Sequence, residues 1–153
     1  MNAGAGLARL IVDAAPDAII FADREGLIRE WNAAATRIFG HTQEEARGQS
    51  LDLIVPERFR EAHWRGYNRA LAEGRTQSEG RALPTRSARK DGTAIYVELS
   101  FAAVQDEGGA ILGALALARD ITERFTRERD ERARVRALEE RVAALDAGQP
   151  ADG

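Results

Sequence analysis

The chain of 153 residues contains no cysteine. Disulfide bonds, thiolate nucleophiles, iron–sulfur clusters and cysteine-bound zinc are therefore excluded. Long apolar runs are also missing, since the longest, residues 110–118, is far below the roughly 20 residues that a membrane-spanning helix needs. The opening sequence MNAGAGLARL lacks the charged flank and apolar core of a secretory signal. These features predict a cytoplasmic protein without a membrane segment.

Positive charge is not in excess either. The net charge of −3 leaves no surplus of basic residues to neutralise phosphates, so nucleic acid is not an expected partner. The charged runs, such as RERDER, are typical of solvated surface. No nucleophile–base pair, carboxylate pair or metal-ligand cluster can be recognised, and the sequence therefore does not predict an enzyme.

The first third of the chain alternates helix and strand signals. Residues 1–6 are small and unpatterned and predict a disordered tail, and residues 7–14 have the apolar spacing of a short helix, which Pro16 must end. Two β-rich runs, residues 18–22 and 27–31, flank the turn-forming sequence DREG. Together the two runs predict a hairpin.

Helix caps divide residues 32–74 into short helices. Asn32 is a good N-cap for the first, and Thr42 opens a capping box for the second. Pro56 is suited to the start of a longer helix, which we expect to end before Gly74. The hairpin is therefore followed by several helices before any further strand.

The next segment is rich in β-strand signals. Residues 80–90 predict an imperfect strand, the sequence DG predicts a hairpin turn, and residues 93–104 alternate cleanly between apolar and polar. Residues 110–119 are apolar enough to form a central, well-covered strand. Two strands, several helices and three more strands predict an α+β domain with the helices on one side of an antiparallel sheet. The inward face of the long strand is expected to carry Ile95, Val97, Leu99 and Phe101.

The last segment predicts a long helix over residues 123–147, with residues 148–153 as a disordered tail. Asp120 and Glu123 have capping-box spacing, so the helix is expected to follow the last strand almost without a linker. Apolar residues at the 3,4 spacing of a heptad predict an amphipathic helix that supports a homodimer, with Ile121 in the same register. The residues of this seam are Val135, Leu138, Val142 and Leu145.

Three stretches resemble the PAS domain, a sensory module of bacterial signalling proteins: PDAIIFADREGLIREWNAAATRIFGHTQEEARGQ, RKDGTAIYVELSFAAV and GALALARDITER. They stand in family order and cover about residues 7–124. The resemblance implies one domain over residues 7–122, with a five-stranded antiparallel sheet in the order 2-1-5-4-3 and short helices that enclose a pocket on one face. The motif Asp120, Ile121 and Thr122 resembles the joint through which PAS domains pass a change in the sheet to the following helix.

The resemblance implies a sensory or regulatory protein that binds a small ligand between the sheet and the long helix and signals by dimerisation. Only about thirty residues follow the sheet, so we expect the output to reside on another signalling protein. A second hypothesis is a cofactor-free interaction module whose pocket is filled by its own side chains. Unchanged stability of the dimer with every candidate ligand would distinguish the second hypothesis from the first.

His63 is one of two histidines and lies on the predicted long helix. Phe59, His63, Gly66 and Tyr67 share one stripe of that helix, which should face inward. Gly66 costs roughly 1 kcal/mol relative to alanine in a helix, so something is expected to approach closely there. His63 is therefore either a ligand to a bound group or an ordinary residue of a helix face.

The family resemblance indicates which bound group His63 would ligate. In oxygen-sensing haem PAS domains the axial histidine lies on this helix, and His63 stands at the matching interval from Pro56. Leu99 and Phe101 match apolar strand positions that line such a haem. The resemblance leaves open haem b bound through His63, a flavin, or no cofactor; the lack of cysteine excludes thiol-adduct photochemistry. The strand segment before DG is longer than its haem counterpart, so Arg81 is not assigned as an oxygen contact.

The remaining aromatic side chains have simpler interpretations. Trp31 is expected to serve packing, with a flavin cover or a subunit contact as the alternative. Trp64 lies off the inward stripe and is available for an interface, and His41 is expected in a loop.

Overall fold

The computed structural model describes residues 3–75 and 81–148. Within the described ranges, no helix has the length and hydropathy that a membrane crossing requires. The α-helices and strands, in chain order, are α1 (Ala3–Ala14), β1 (Ala18–Asp23), β2 (Ile28–Trp31), α2 (Ala33–Phe39), α3 (Gln43–Ala46), α4 (Arg60–Glu73), β3 (Leu83–Ala88), β4 (Ala94–Gln105), β5 (Ile111–Asp120) and α5 (Thr122–Ala147), with 3₁₀ turns at Leu51–Leu53 and Glu57–Phe59.

The five strands form one antiparallel sheet in the order β2-β1-β5-β4-β3. This order confirms the prediction. β5 lies in the centre, between β1 and β4, with Ala116 opposite both Ile20 and Phe101. The inner face of the sheet therefore presents residues of three adjacent strands to the helices.

The helices cover one face of this sheet and share a single core with it. The buried apolar residues come from β1, β2, β4 and β5 on one side and from α2, α3, α4 and the first 3₁₀ turn on the other. As predicted, Ile95 and Val97 point into this core. The largest fully buried side chains are Trp31, Phe39, Ile20, Ile28, Ile95 and Val97.

Asn32 is more than the N-cap that the sequence predicts. Its side-chain oxygen accepts the amides of Ala35 (3.0 Å) and Ile19 (2.9 Å), and its amide nitrogen donates to the carbonyls of Val12 (2.8 Å) and Asp17 (3.0 Å). One buried side chain thus satisfies backbone groups of α1, β1 and α2 and of the loop between α1 and β1.

The start of the chain corrects the predicted tail. Residues 3–6, which we expected to be disordered, belong to α1, while residues 1–2 lie outside the described part. Alanine has the highest helix propensity of all residues, and Ala3 and Ala5 extend the predicted helix towards the N-terminus. The predicted tail at the other end, apart from Gly148, also lies outside the described residues.

The structure divides into two compact units, one ending at Ile121 and one beginning at Thr122. Ile121 belongs to the first: its side chain is 6% exposed and its amide donates to the carbonyl of Tyr96 at 2.9 Å. Its expected place on the heptad seam is therefore wrong, because core packing of the sheet domain takes up this side chain. The second unit contains α5, and its seam residues are all exposed: Val135, Leu138, Val142 and Leu145.

Candidate ligand-binding cavity

A cavity of about 510 Å³ lies between the inner face of the sheet and α4. Phe59, His63, Tyr67, Leu99 and Phe101 all line it, so the structure brings together five of the six residues that the sequence singled out. The sixth, Gly66, borders a smaller neighbouring cavity. The other lining residues are Ile20, Ala22, Phe39, Leu51, Ile54, Val55, Ala62, Pro84, Thr85, Arg86, Ser87, Ala114, Leu115 and Ala116.

His63 is half-buried among aromatic rings. Its ring centroid lies 4.9 Å from that of Trp64 and 6.0 Å from that of Tyr67. Burial lowers the pKa of His63, and the negative charge of Asp52 opposes this shift only in part. The Nδ1 atom is buried and has no hydrogen-bond partner among the described residues. A neutral imidazole with an unpartnered nitrogen is suited to accept or donate one hydrogen bond, or to bind a metal ion.

Tyr67 holds the middle of α4 against the end of β1. Its hydroxyl group lies within hydrogen-bond distance of the carbonyl oxygens of Ala22 and Asp23. Burial raises the pKa of Tyr67 to about 12, and the carboxylate of Asp23 acts in the same direction. The hydroxyl group therefore stays protonated and can keep donating, which fixes the spacing between α4 and the sheet.

Trp64 is not the free interface residue that the sequence predicts. Its indole N–H donates to Oδ1 of Asp52 at 2.8 Å, and its ring meets that of Tyr67 edge-on at 5.4 Å. The far edge of the ring lies against Gly26, in the turn between β1 and β2. Helical periodicity places Trp64 beside the inward stripe, and the β1–β2 turn then covers it.

The strand β3 contributes a polar wall that the sequence analysis missed. Thr85 and Ser87 line the cavity, and the hydroxyl group of Ser87 donates to the carbonyl of Ile54 at 2.6 Å. Thr85 pairs with Val97 across the sheet and Ser87 with Ile95, so all four share the inner face. The alternation in LPTRSA, set beside that of β4, is the signal that could have identified this wall.

The sequence analysis considered Arg81, but another arginine of this segment lies at the cavity. Arg86 lines the cavity, whereas Arg81 lines neither cavity within the part of the chain that the structure describes. The sequence could not select between them because the register of β3 depends on its pairing with β4.

Trp31 and His41 form a separate cluster away from the cavity. The indole N–H of Trp31 donates to the carbonyl of His41 (3.0 Å) and to Oγ1 of Thr36 (3.1 Å), which confirms that Trp31 serves packing. Among the described residues, neither Trp31 nor His41 lines the cavity between the sheet and α4. His41 lies in a loop as predicted, but its side chain is buried, and burial lowers its pKa.

The end of β5, where the sequence places the relay motif, is held by ion pairs. Arg119 donates to both carboxylate oxygens of Asp17, each at 3.0 Å, and Arg89 donates to the carboxylate of Asp120 at 3.0 Å. These contacts tie the last strand to the residue before β1 and to the residue after β3. The relay role of Asp120, Ile121 and Thr122 stays a prediction.

A five-stranded antiparallel sheet in this order, with short helices that enclose an apolar cavity, is the architecture of a sensory domain. The family model for the PAS fold matches residues 6–121, and the chain belongs to this family. PAS domains are sensory modules and are in general not catalytic.

Two curated relatives are similar over most of this chain. The sensor protein FixL of Bradyrhizobium diazoefficiens is 32% identical over 121 residues, which are 75% of this chain and 22% of FixL. The oxygen sensor protein DosP of Escherichia coli is 27% identical over 109 residues, which are 71% of this chain and 13% of DosP. The chain thus spans less than a quarter of each relative, and the similarity supports a sensory, signalling role.

A solved structure shows the same fold. The PAS domain of a protein from Colwellia psychrerythraea is 25% identical, with a TM-score of 0.67, over 78% of this chain and 98% of that chain. The match supports the sheet order and the helical cover described above.

Proposed function

We propose that this PAS domain senses a small, largely apolar molecule that binds in the cavity between the sheet and α4. The observation that carries the proposal is the cavity itself, about 510 Å³ with mostly apolar walls and the buried, unpartnered Nδ1 of His63. Its volume falls in the range of roughly 300–1,000 Å³ that is usual for small-molecule sites. The alternative, a module whose pocket is filled by its own side chains, does not account for this volume.

His63 is the polar contact that α4 contributes to the proposed site. A buried nitrogen without a partner costs about 1–3 kcal/mol, which a ligand that hydrogen-bonds to it would recover. Because burial lowers the pKa of His63, the imidazole is neutral near pH 7 and offers one donor and one acceptor. The proposed ligand therefore combines an apolar body with at least one polar group.

The signal would leave the cavity along the two central strands. Leu99 and Phe101 of β4 and Ala114 and Ala116 of β5 line the cavity, and β5 ends at Asp120, directly before the proposed relay. A ligand shifts the domain only if it binds one arrangement of these strands more tightly than another. A change from mostly off to mostly on requires a difference of about 5 kcal/mol.

We propose a homodimer as the signalling form, with α5 contributing to its interface and a separate signalling protein as the output. The support is the exposed seam of α5: Val135, Leu138, Val142 and Leu145. An apolar row at heptad spacing on a solvated helix is typical of a helix that pairs with another.

A narrower candidate is that the bound group is haem and that His63 is its axial ligand. A neutral, unpartnered imidazole nitrogen in an apolar cavity fits an iron ligand, and the relative DosP is an oxygen sensor. Phe59, Leu99 and Phe101 would surround the ring. When bound, haem would supply an iron that binds gases and changes redox state.

Absorption spectroscopy and native mass spectrometry of the purified chain test both the general proposal of a small apolar ligand and its narrower haem form. If haem binds, the protein shows a Soret band, as purified or after addition of hemin, and His63→Ala abolishes it. His41→Ala is the matched control, because it removes the other buried histidine and should leave the band unchanged. An unaltered hemin spectrum would exclude the haem form. A molecule seen only in the native mass spectrum, and lost with Leu99→Trp, would support the general form.

A further inference from the structure

A second cavity, of about 260 Å³, adjoins the first along the C-terminal half of α4. Its wall consists partly of residues that also line the larger cavity, so the two spaces are neighbouring compartments of one site. The shared residues are Ala62, His63, Tyr67, Phe101 and Ala114. Beyond them, the smaller compartment is lined by Gly66, Arg69, Ala70, Glu73, Arg75 and Leu83.

Gly66 lies in the interior of α4 beside this smaller compartment. An added Cβ atom would meet no heavy atom within 4 Å among the described residues, so packing of the domain does not require glycine here. Glycine in a helix interior is destabilising relative to alanine. What the missing side chain preserves is the open space of the compartment.

The charge around this space is mainly positive. Arg69 and Arg75 line it and have no ion-pair partner in the described part of the chain, while Glu73 is its one acidic lining residue there. Arg86 lines the larger compartment, and no acidic residue does so within residues 3–75 and 81–148. Two arginines and one glutamate thus line the smaller compartment, which leaves a net positive charge there and favours an anionic ligand group.

We infer that the ligand is an elongated molecule with an apolar body and an anionic end, of the chemistry of a medium-chain carboxylate. This inference rests on the proposed function of the larger cavity. The body occupies the larger compartment, and the carboxylate reaches the smaller one beside Arg69 and Arg75. Gly66 leaves the space through which the chain of the ligand passes between α4 and Phe101.

Binding of decanoate and decan-1-ol to the purified full chain, measured by isothermal titration calorimetry, tests the charge. The two probes share an apolar chain and differ in the carboxylate. We expect decanoate to bind more tightly, and Arg69→Gln and Arg75→Gln each to weaken decanoate about two- to fivefold while decan-1-ol is unaffected. Arg65→Gln is the control, since Arg65 lies on α4 but lines neither described cavity.

Substitution of Gly66 tests whether the ligand passes beside this residue into the smaller compartment. Gly66→Leu fills the smaller compartment and should weaken decanoate about tenfold or more, because a leucine side chain and the ligand cannot share the same space. Gly66→Ala, checked by thermal unfolding, should be more stable than the parent chain, which shows that the helix tolerates a side chain there. Ala72→Leu is the matched control: it adds leucine on an exposed part of α4 and should leave binding unchanged.

The outcomes separate this inference from the proposed function. Equal affinity for the two probes, or equal loss with Arg65→Gln and Arg69→Gln, would overturn the anionic end and leave the apolar cavity as a site. Unchanged decanoate affinity in Gly66→Leu would overturn the role of the smaller compartment. If neither probe binds, the inferred ligand class is wrong. If, in addition, no molecule co-purifies with the chain and no added ligand binds, the result counts against the proposed function itself.

Discussion

The contact between Gly26 and Trp64 predicts how strongly a substitution of Gly26 lowers the free energy of unfolding. Gly26 lies in the β1–β2 turn with φ +79°, and a Cβ atom there would overlap the ring atoms Cη2 and Cζ3 of Trp64. The ring cannot easily move away, because its N–H is bonded to Asp52 and it packs nearly at right angles against the rings of His63 and Tyr67. Gly26→Ala should therefore strain both the turn and the wall of the cavity.

Two costs add up in this variant. A non-glycine residue at positive φ costs about 1–2 kcal/mol, and overpacking of a filled site costs typically about 1–3 kcal/mol. Gly48→Ala is the matched control, since Gly48 has φ +82° but no described heavy atom within 4 Å of its added Cβ. We expect Gly26→Ala to lower the free energy of unfolding by about 2–5 kcal/mol. Gly48→Ala should lower it only by the cost of the positive φ, about 1–2 kcal/mol.

Urea unfolding followed by circular dichroism measures this difference, and a double-mutant cycle assigns it. In a Trp64→Ala background the overlap is removed, so Gly26→Ala should then cost no more than Gly48→Ala. The coupling energy between Gly26→Ala and Trp64→Ala should accordingly be about 1–3 kcal/mol. Equal losses for both glycine variants in both backgrounds would refute the packing described here.

Three further outcomes are expected. Gly113→Ala should prevent stable folding, because its Cβ would overlap the backbone carbonyl of Ala22 at φ +159°, and expression with circular dichroism checks this. Burial lowers the pKa values of His41 and His63, so the unfolded chain binds protons at a higher pH than the folded chain does. The free energy of unfolding should therefore be unaffected by the histidines above about pH 6.5 and should fall below it, by at most about 1.4 kcal/mol per pH unit for each histidine. Urea unfolding at several pH values should show a smaller fall of this free energy in each of the two His→Phe variants. Replacing Leu138 and Leu145 by aspartate should convert the proposed dimer to a monomer in analytical ultracentrifugation, and an unchanged sedimentation coefficient would contradict a role for α5.

Much of the fold follows from local patterns. The alternation in β4 identifies the inward face that carries Ile95 and Val97, and the 3,4 spacing in α4 identifies the stripe with His63 and Tyr67. Caps such as Asn32 and Thr42 act within a few residues of themselves, so their function can be recognised without knowledge of the rest of the chain. The family resemblance supplied the order of the strands.

Several features of the site depend on contacts between residues far apart in the sequence. Thr85 and Ser87 reach the cavity because β3 pairs with β4 in one particular register. Trp64 is covered by a turn that lies about forty residues earlier, and Ile121 is taken into the sheet domain although its spacing fits the helix that follows. A periodic pattern gives the face of an element, but it does not say which other element covers that face.

By itself, the sequence determined which segments become strands and helices, which of their faces are apolar, and that no cysteine chemistry takes place. Only the tertiary structure decided that the space between α4 and the sheet remains open, that the Nδ1 atom of His63 has no described partner there, and that Gly66 adjoins a second compartment. The physical reason is that periodicity and capping are local interactions of a few residues. A cavity, by contrast, is the volume left when distant elements pack against one another.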